Sequence, residues 1–459
     1  MDRWSSRKQL TVAVAASAGL ALIVCIGLIT TLLIGGAGAK QKPAERAAEV
    51  IDRIAFVGGD GNLYLMDRDG GNVTYVAVGG DGTSLNYPTW SPDGRRVAFI
   101  AQRQSGASVE SILYTVSTVG GAPTTLYSSS DHPAFYLYWS PDSQHIGFLT
   151  QEDTSLALRL APADGSQAAQ VLERGAPFYW SWSPDGRELF IHTGGARRLS
   201  QEARLAVLAG EPEAVPDVLD HAPANFQAPA WSPDGNRLLY AGEDEGGQQA
   251  LYVRLQETGA VEKVVDVEGL VRFNWSPDGQ WIAYQQIDDP SIVPLGQVFV
   301  MPAPGAQTGA GEQGQPAENG PRRVSREPAL AFFWSPDGRH LAILVPALDE
   351  EQQPSARRVG LAAPVAQGVE LVFRWWLVDM PDGELRPLVT FRPSVSFLFI
   401  VPYFDQYAQS IRFWSPDSHY LLYSHEDADQ QAGIWIADAE GQEAPRRLAD
   451  GVLAVWSWQ

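Results

Sequence analysis

Cysteine is nearly absent from these 459 residues: Cys25 stands alone, which excludes a disulfide scaffold, a cysteine zinc site and an iron–sulfur cluster. Histidine is also scarce, at 7, and none sits in a His-Glu-x-x-His pair. The chain lacks a Gly-x-Ser-x-Gly elbow and a phosphate-cradling Gly-x-x-x-x-Gly-Lys loop. Positive charge is in deficit, with 33 basic against 54 acidic residues and a net charge of −21, and such a surface repels nucleic-acid backbones and anionic lipid. Disorder is excluded as well, because 45% of the residues are hydrophobic and 19% charged.

Apolar sequence is distributed in short pieces, with one exception. Leu10 to Ile34 is an uncharged run of 25 residues, long enough as a helix (about 37 Å) to cross a hydrocarbon core of about 30 Å. It follows a basic tail, residues 1–9, and precedes a polar stalk, residues 35–50. Its length favours an uncleaved single-pass transmembrane helix; the alternative is a signal peptide cut near Ala37-Gly38-Ala39. Arg3, Arg7 and Lys8 before the run are matched by Lys40, Lys42 and Arg46 after it, so charge leaves the orientation open.

Residues 51–459 are dominated by one repeat. Trp-Ser-Pro-Asp-Gly/Ser begins at Trp90, Trp139, Trp182, Trp231, Trp275, Trp334 and Trp414, placing the acidic residue at Asp93, Asp142, Asp185, Asp234, Asp278, Asp337 and Asp417. An aliphatic residue follows each Trp by seven positions, from Val97 to Leu421. Spacings of 42 to 80 residues, counting on to Trp456, match a propeller blade with insertions. In each copy a strand ends at the Trp, Pro presets the turn, and Gly takes the left-handed position. Ser143 and Ser418 replace that Gly, so those two turns are expected to be strained or of another type.

Arg53–Val57 reads as a second strand lacking a first, and Leu453–Ser457 as a first strand lacking a second. The two ends should therefore pair and close the ring. The expected fold is an all-β, eight-bladed propeller over residues 51–459, with seven blades as the alternative and residues 303–319 as a flexible Gly/Pro-rich insertion.

The Trp-Ser-Pro-Asp-Gly unit, followed by an aliphatic-small-aromatic strand, resembles the repeat of TolB-like propellers, a WD40-like unit. That resemblance implies a bacterial cell-envelope protein with its propeller outside the cytoplasm, at the plasma membrane when anchored by the run 10–34. It is specific for fold and weak for function, since such rings host scaffolds, binding modules and enzymes.

The connections after second and fourth strands fall on one face: 101–110, 192–201, 241–248, 345–369 and 391–410. The last is the longest and most aromatic inter-blade connection, and it nominates Tyr403, Phe404, Asp405, Gln406 and Tyr407 as partner-binding residues; the alternative is that they plug the channel. Acidic loops at Glu243–Glu245 and Glu426–Asp429 read as solvated turns rather than cation sites. The expectation is a non-catalytic, protein- or peptide-binding scaffold with no cofactor, metal or nucleic-acid partner. The alternatives are a small-ligand or glycan-binding sensor and, last, a propeller hydrolase.

Overall fold

The computed structural model describes residues 52–80, 82–106, 108–195, 202–288, 294–305, 320–347, 372–427 and 429–458. The apolar run 10–34, the stalk and most of the insertion 303–319 lie outside the described residues. Among those described, no helix is long and apolar enough to cross a membrane.

Eight antiparallel sheets form in chain order, giving an eight-bladed propeller. Leu453–Trp456 pairs antiparallel with Arg53–Val57, from Ile54 opposite Trp456 to Val57 opposite Leu453, so the first blade takes its inner strand from the far end of the sequence. Ser457 N–H donates to Arg53 O at 2.8 Å, and the Arg68 guanidinium ties Asp52 (2.7 Å) to Asp417 (3.0 Å) across the seam between blades 8 and 1. Closure leaves no inner or middle strand unpaired among the described residues. In blades 4 and 6 the outermost strand is only two exposed residues, Asp217–Val218 and Arg322–Arg323, which blunts those edges.

Each motif builds the same joint. In all seven copies the Ser hydroxyl donates to the Asp two residues on, at 2.5–2.7 Å. That carboxylate accepts the N–H two residues further along, and the same hydroxyl accepts the first N–H of the second strand (Arg237 N–H to Ser232 Oγ, 3.0 Å). The Trp then reaches backwards. Indole N–H groups of Trp90, Trp139, Trp275 and Trp414 donate to Val455, Thr89, Ala230 and Phe333 carbonyls, each on the inner strand of the preceding blade.

Three departures from the repeat are visible. The connection 101–110 is not a loop: the ladder continues to Ser105 opposite Ser108. An Arg103–Glu110 ion pair supports its exposed tip. Blade 5 has a broken inner strand, with Ala222–Pro223 and Ala230–Trp231 pairing separately with the second strand. Blade 8 reduces its inner strand to two isolated bridges, Pro393–His425 and Trp414–Leu421, beside three regular strands.

Ser143 and Ser418 do take the left-handed conformation, with φ of 62° and 63°, and keep the Ser-to-Ser turn bond of the other copies. The turn type is unchanged. Each hydroxyl instead accepts the N–H of the preceding blade's motif Asp, Asp93 at 3.0 Å and Asp337 at 3.1 Å. That bond offsets the left-handed cost of a side chain. Ser418→Ala should therefore lower unfolding free energy by about 1 kcal/mol, since it keeps the strain and loses the bond. Ser418→Gly, which loses both, should lie within about 0.5 kcal/mol of the parent; urea midpoints of the two variants check the order.

Candidate functional site

The connection 391–410 supplies the channel's contents. It leaves blade 7 on the face away from the motif turns, where Ser394 donates through Oγ to Val452 O of blade 1 and its N–H reaches Ser424 O of blade 8. Ser394 also caps helix α1 (Val395–Ile400) by accepting the Phe397 N–H. Pro402 ends this helix and opens a 3₁₀ turn, Val401–Tyr403, which runs into the single turn α2 (Phe404–Tyr407).

Of the five nominated residues, the structure keeps only Tyr403 at the surface, 42% exposed. Phe404, Asp405, Gln406 and Tyr407 are buried inside the ring. They form a plug rather than a platform, because the inner strands present unpaired backbone groups that need partners away from water. Gln406 satisfies blade 4 as another strand would: its Oε1 accepts Trp180 N–H at 2.8 Å and its Nε2 donates to Trp180 O at 2.9 Å. Nε2 also donates to the Tyr136 hydroxyl of blade 3, which donates in turn to Gln406 O, both at 3.0 Å. Asp405 Oδ2 accepts Ala228 N–H at 3.1 Å, in the gap that breaks the blade 5 inner strand. Tyr407 meets Tyr136 edge-on and lies against Tyr87 of blade 2. Phe404 packs on Phe332 and Phe333 of blade 7, and Pro402 O accepts from Arg272 of blade 6 at 2.7 Å. Every blade thus has a contact with this one segment.

Burial displaces titratable groups around the plug, Tyr136 and Tyr407 upward among them. Burial raises the Asp405 carboxyl above its ordinary value, against the pull of Arg272, whose Nε stands 3.9 Å away. Burial lowers His192 to about 4; its ring faces Gln227 O at 3.0 Å, one residue before the Asp405 contact.

The plug divides the channel into two ends. On the motif face a cavity of about 340 Å³ remains above α2, walled by the motif tryptophans and floored by Phe404 and Ala408. On the other face Val395, Phe399 and Tyr403, spaced by four, stand 61%, 54% and 42% exposed. Neither surface carries a separate signal in the sequence: Arg412 and Trp458, which line the cavity, lie two residues from repeat tryptophans and have no motif of their own.

The acidic loops hold their carboxylates internally. Asp244 Oδ1 accepts from Gly246 and Gln248, and Asp427 Oδ1 from Asp429 and Gln431. Among the described residues no group of three His, Cys, Asp or Glu side chains is gathered as for a metal.

No protein-family model matches the chain. It is 36% identical over 59 residues to the Tol-Pal system protein TolB of Alcanivorax borkumensis, 13% of this chain and 14% of that protein. It is also 36% identical over 63 residues to an uncharacterized peptidase, YuxL, of Bacillus subtilis, 14% of this chain and 10% of that one. The chain thus matches well under two thirds of either relative's length. Among solved structures, the dihydro-heme d1 dehydrogenase NirN superposes over 91% of this chain and 76% of its own at 16% identity, with a TM-score of 0.53. That likeness shows the propeller fold. The repeat itself is TolB-like.

Gln406→Leu should cost roughly 2–5 kcal/mol of stability, because it strands the Trp180 N–H and carbonyl without partners. Val395→Ala, at the exposed end of the same segment, should cost under about 0.5 kcal/mol. Denaturant unfolding of both variants tests whether the segment is a structural plug.

His192 adds a pH dependence. The unfolded imidazole gains its proton near 6.5, whereas the folded one does so only near 4. Stability is therefore full above pH 6.5 and declines as pH falls from there to about 4, by about 3 kcal/mol from this group. His192→Asn should flatten that limb of a stability–pH curve, measured between the two values.

Proposed function

We propose that the chain is a non-catalytic binding propeller, held at the plasma membrane by residues 10–34, that docks a protein or peptide partner outside the cytoplasm on the outer face of its plug. The observation that carries this reading is the exposed stripe of Val395, Phe399 and Tyr403. A helix that exists to fill a channel has no need of large apolar side chains on its outward side, and clustered exposed apolar groups on rigid elements mark contact surfaces. The support beneath the stripe is stiff, since Phe397 and Ile400 are fully buried and the next turn is bonded to the blades. A preorganised surface of this kind loses little entropy on binding. The TolB of Alcanivorax borkumensis is a Tol-Pal system protein, and that relationship favours an envelope partner. The uncharged length of 10–34 supports the anchor.

A photoreactive residue at Val395 in the full-length protein in its native membrane should give one discrete cross-linked product. Leu255, 42% exposed at the end of a third strand and hence on the opposite face, should give none. Replacing Phe399 and Tyr403 by Ser should abolish the product with no change in melting temperature. Equal cross-linking from both faces, or persistence in the double variant, contradicts the reading.

A further inference from the structure

The motif-face cavity contains a charge that no described acidic residue answers. Of its lining residues only Asp405 and Arg412 are charged. Asp405 faces Arg272 and accepts the Ala228 N–H. Arg412 has no carboxylate within ion-pair distance among the described residues: its guanidinium lies 4.4 Å over the Trp458 ring and gives one hydrogen bond, to Trp458 O at 3.2 Å. Burial lowers its pKa to about 10, which leaves it protonated at neutral pH. In a chain with 54 acidic and 33 basic residues, a half-buried arginine without an acidic partner among the described residues is unexpected, because partial desolvation of an uncompensated charge is costly.

A second donor points the same way. Asn274 lines the cavity; its Oδ1 is already engaged with the Trp275 N–H at 2.9 Å, and its amide N–H groups have no acceptor among the described residues. The walls between these donors are aromatic: Trp182, Trp231, Trp275, Trp334 and Trp414. The motif prolines Pro184, Pro233 and Pro277 narrow the mouth, and each precedes a motif aspartate.

We propose that this cavity binds an organic monocarboxylate with a flat apolar body, its carboxylate on Arg412 and Asn274 and its body between the tryptophans. Arginine presents paired donors that fit a carboxylate in two places at once, and indole faces suit a flat apolar group. The aspartates beside the mouth disfavour multiply charged anions such as phosphate. A cavity of about 340 Å³ lies at the small end of ligand sites and holds one aromatic acid or the last residues of a peptide. The carboxylate therefore comes from one of two sources, a free small acid or a chain terminus. Being at the opposite end of the channel from Phe399, this site and the partner surface succeed or fail separately.

The test uses the full chain in detergent, with titration calorimetry and the intrinsic fluorescence of the wall tryptophans as readouts. The probes are 3-phenylpropionate and its amide, acetyl-Leu-Phe and its C-terminal amide, and inorganic phosphate. At least one acid should saturate the protein and bind at least about tenfold more tightly than its amide. Arg412→Met should lose at least about tenfold in that affinity, while Arg412→Lys loses less. Arg412→Met should also raise the melting temperature of the unliganded protein, because it removes an unpaired charge. Tighter binding of 3-phenylpropionate identifies a free acid as the source, and tighter binding of the dipeptide a chain terminus. Acid and amide binding alike, Arg412→Met binding like the parent, phosphate binding as well as the acids, or no binding up to about 10 mM would each overturn the proposal. Should Arg412→Met fail to fold, the acid–amide comparison on the unaltered protein still decides.

Discussion

Eight sheets arranged around one axis bring eight inner strand edges to face a single channel, and this is the constraint on which the rest of the structure depends. Each edge carries backbone N–H and carbonyl groups that require either water or a partner. Water would leave an open tunnel with aromatic walls in contact with solvent. The protein instead inserts its own chain. Gln406 gives the inner edge of blade 4 both the donor and the acceptor that a further strand would have given, and Asp405 accepts the Ala228 N–H in blade 5. The two irregular inner strands, in blades 5 and 8, are the ones that give way to this segment. Blade 5 opens a gap where Asp405 enters, and blade 8 shortens where the chain leaves the channel for Trp414.

Around that centre the blades are joined by a repeated device with a clear order of magnitudes. Burying a tryptophan removes roughly 200 Å² of surface from water, about 5 kcal/mol gross. The hydrogen bond its indole N–H makes to the next blade adds only about 1 kcal/mol net. Packing therefore decides. This accounts for how Trp182, Trp231, Trp334 and Trp456 hold equivalent positions although their indole N–H groups are buried without a hydrogen-bond partner. Ser and Asp act differently. Their bonds fix the turn so that the Trp is delivered at the same angle in every copy, and at Ser143 and Ser418 the turn itself becomes a link between blades.

What could be read from the sequence follows from how far apart the interacting residues lie. The motif joint is made within five residues and repeats seven times, so strand order, turn residues and ring closure were all legible from spacing. The plug is held by residues far along the chain, such as Arg272 with Pro402, 130 positions apart, and Tyr136 with Gln406, 270 apart. No local pattern encodes such pairs. An aromatic-rich stretch serves equally well outward or inward, so Tyr403–Tyr407 could be nominated as a group while its direction stayed open. The structure divides the group after Tyr403. The continued ladder at 101–110 was missed for another reason: polar residues on both strands of a solvated hairpin tip look like a loop, and only cross-strand pairing reveals them.

The plug also determines what kind of function the ring can support. A propeller with an open channel has one continuous interior whose two mouths communicate. Here Phe404, Asp405, Gln406 and Tyr407 separate an apolar outward stripe at one end from an aromatic cavity with a lone guanidinium at the other. Both ends are nevertheless built on the same short segment. The Asp405 and Phe404 side chains form part of the cavity floor, and Tyr403, one residue earlier, belongs to the stripe. Any shift of α2 along the axis changes both surfaces at once, and Gln406, bonded to Trp180 on both sides of its amide, resists such a shift. A partner and a ligand bound at the two ends therefore act independently, since a segment with a single arrangement transmits nothing.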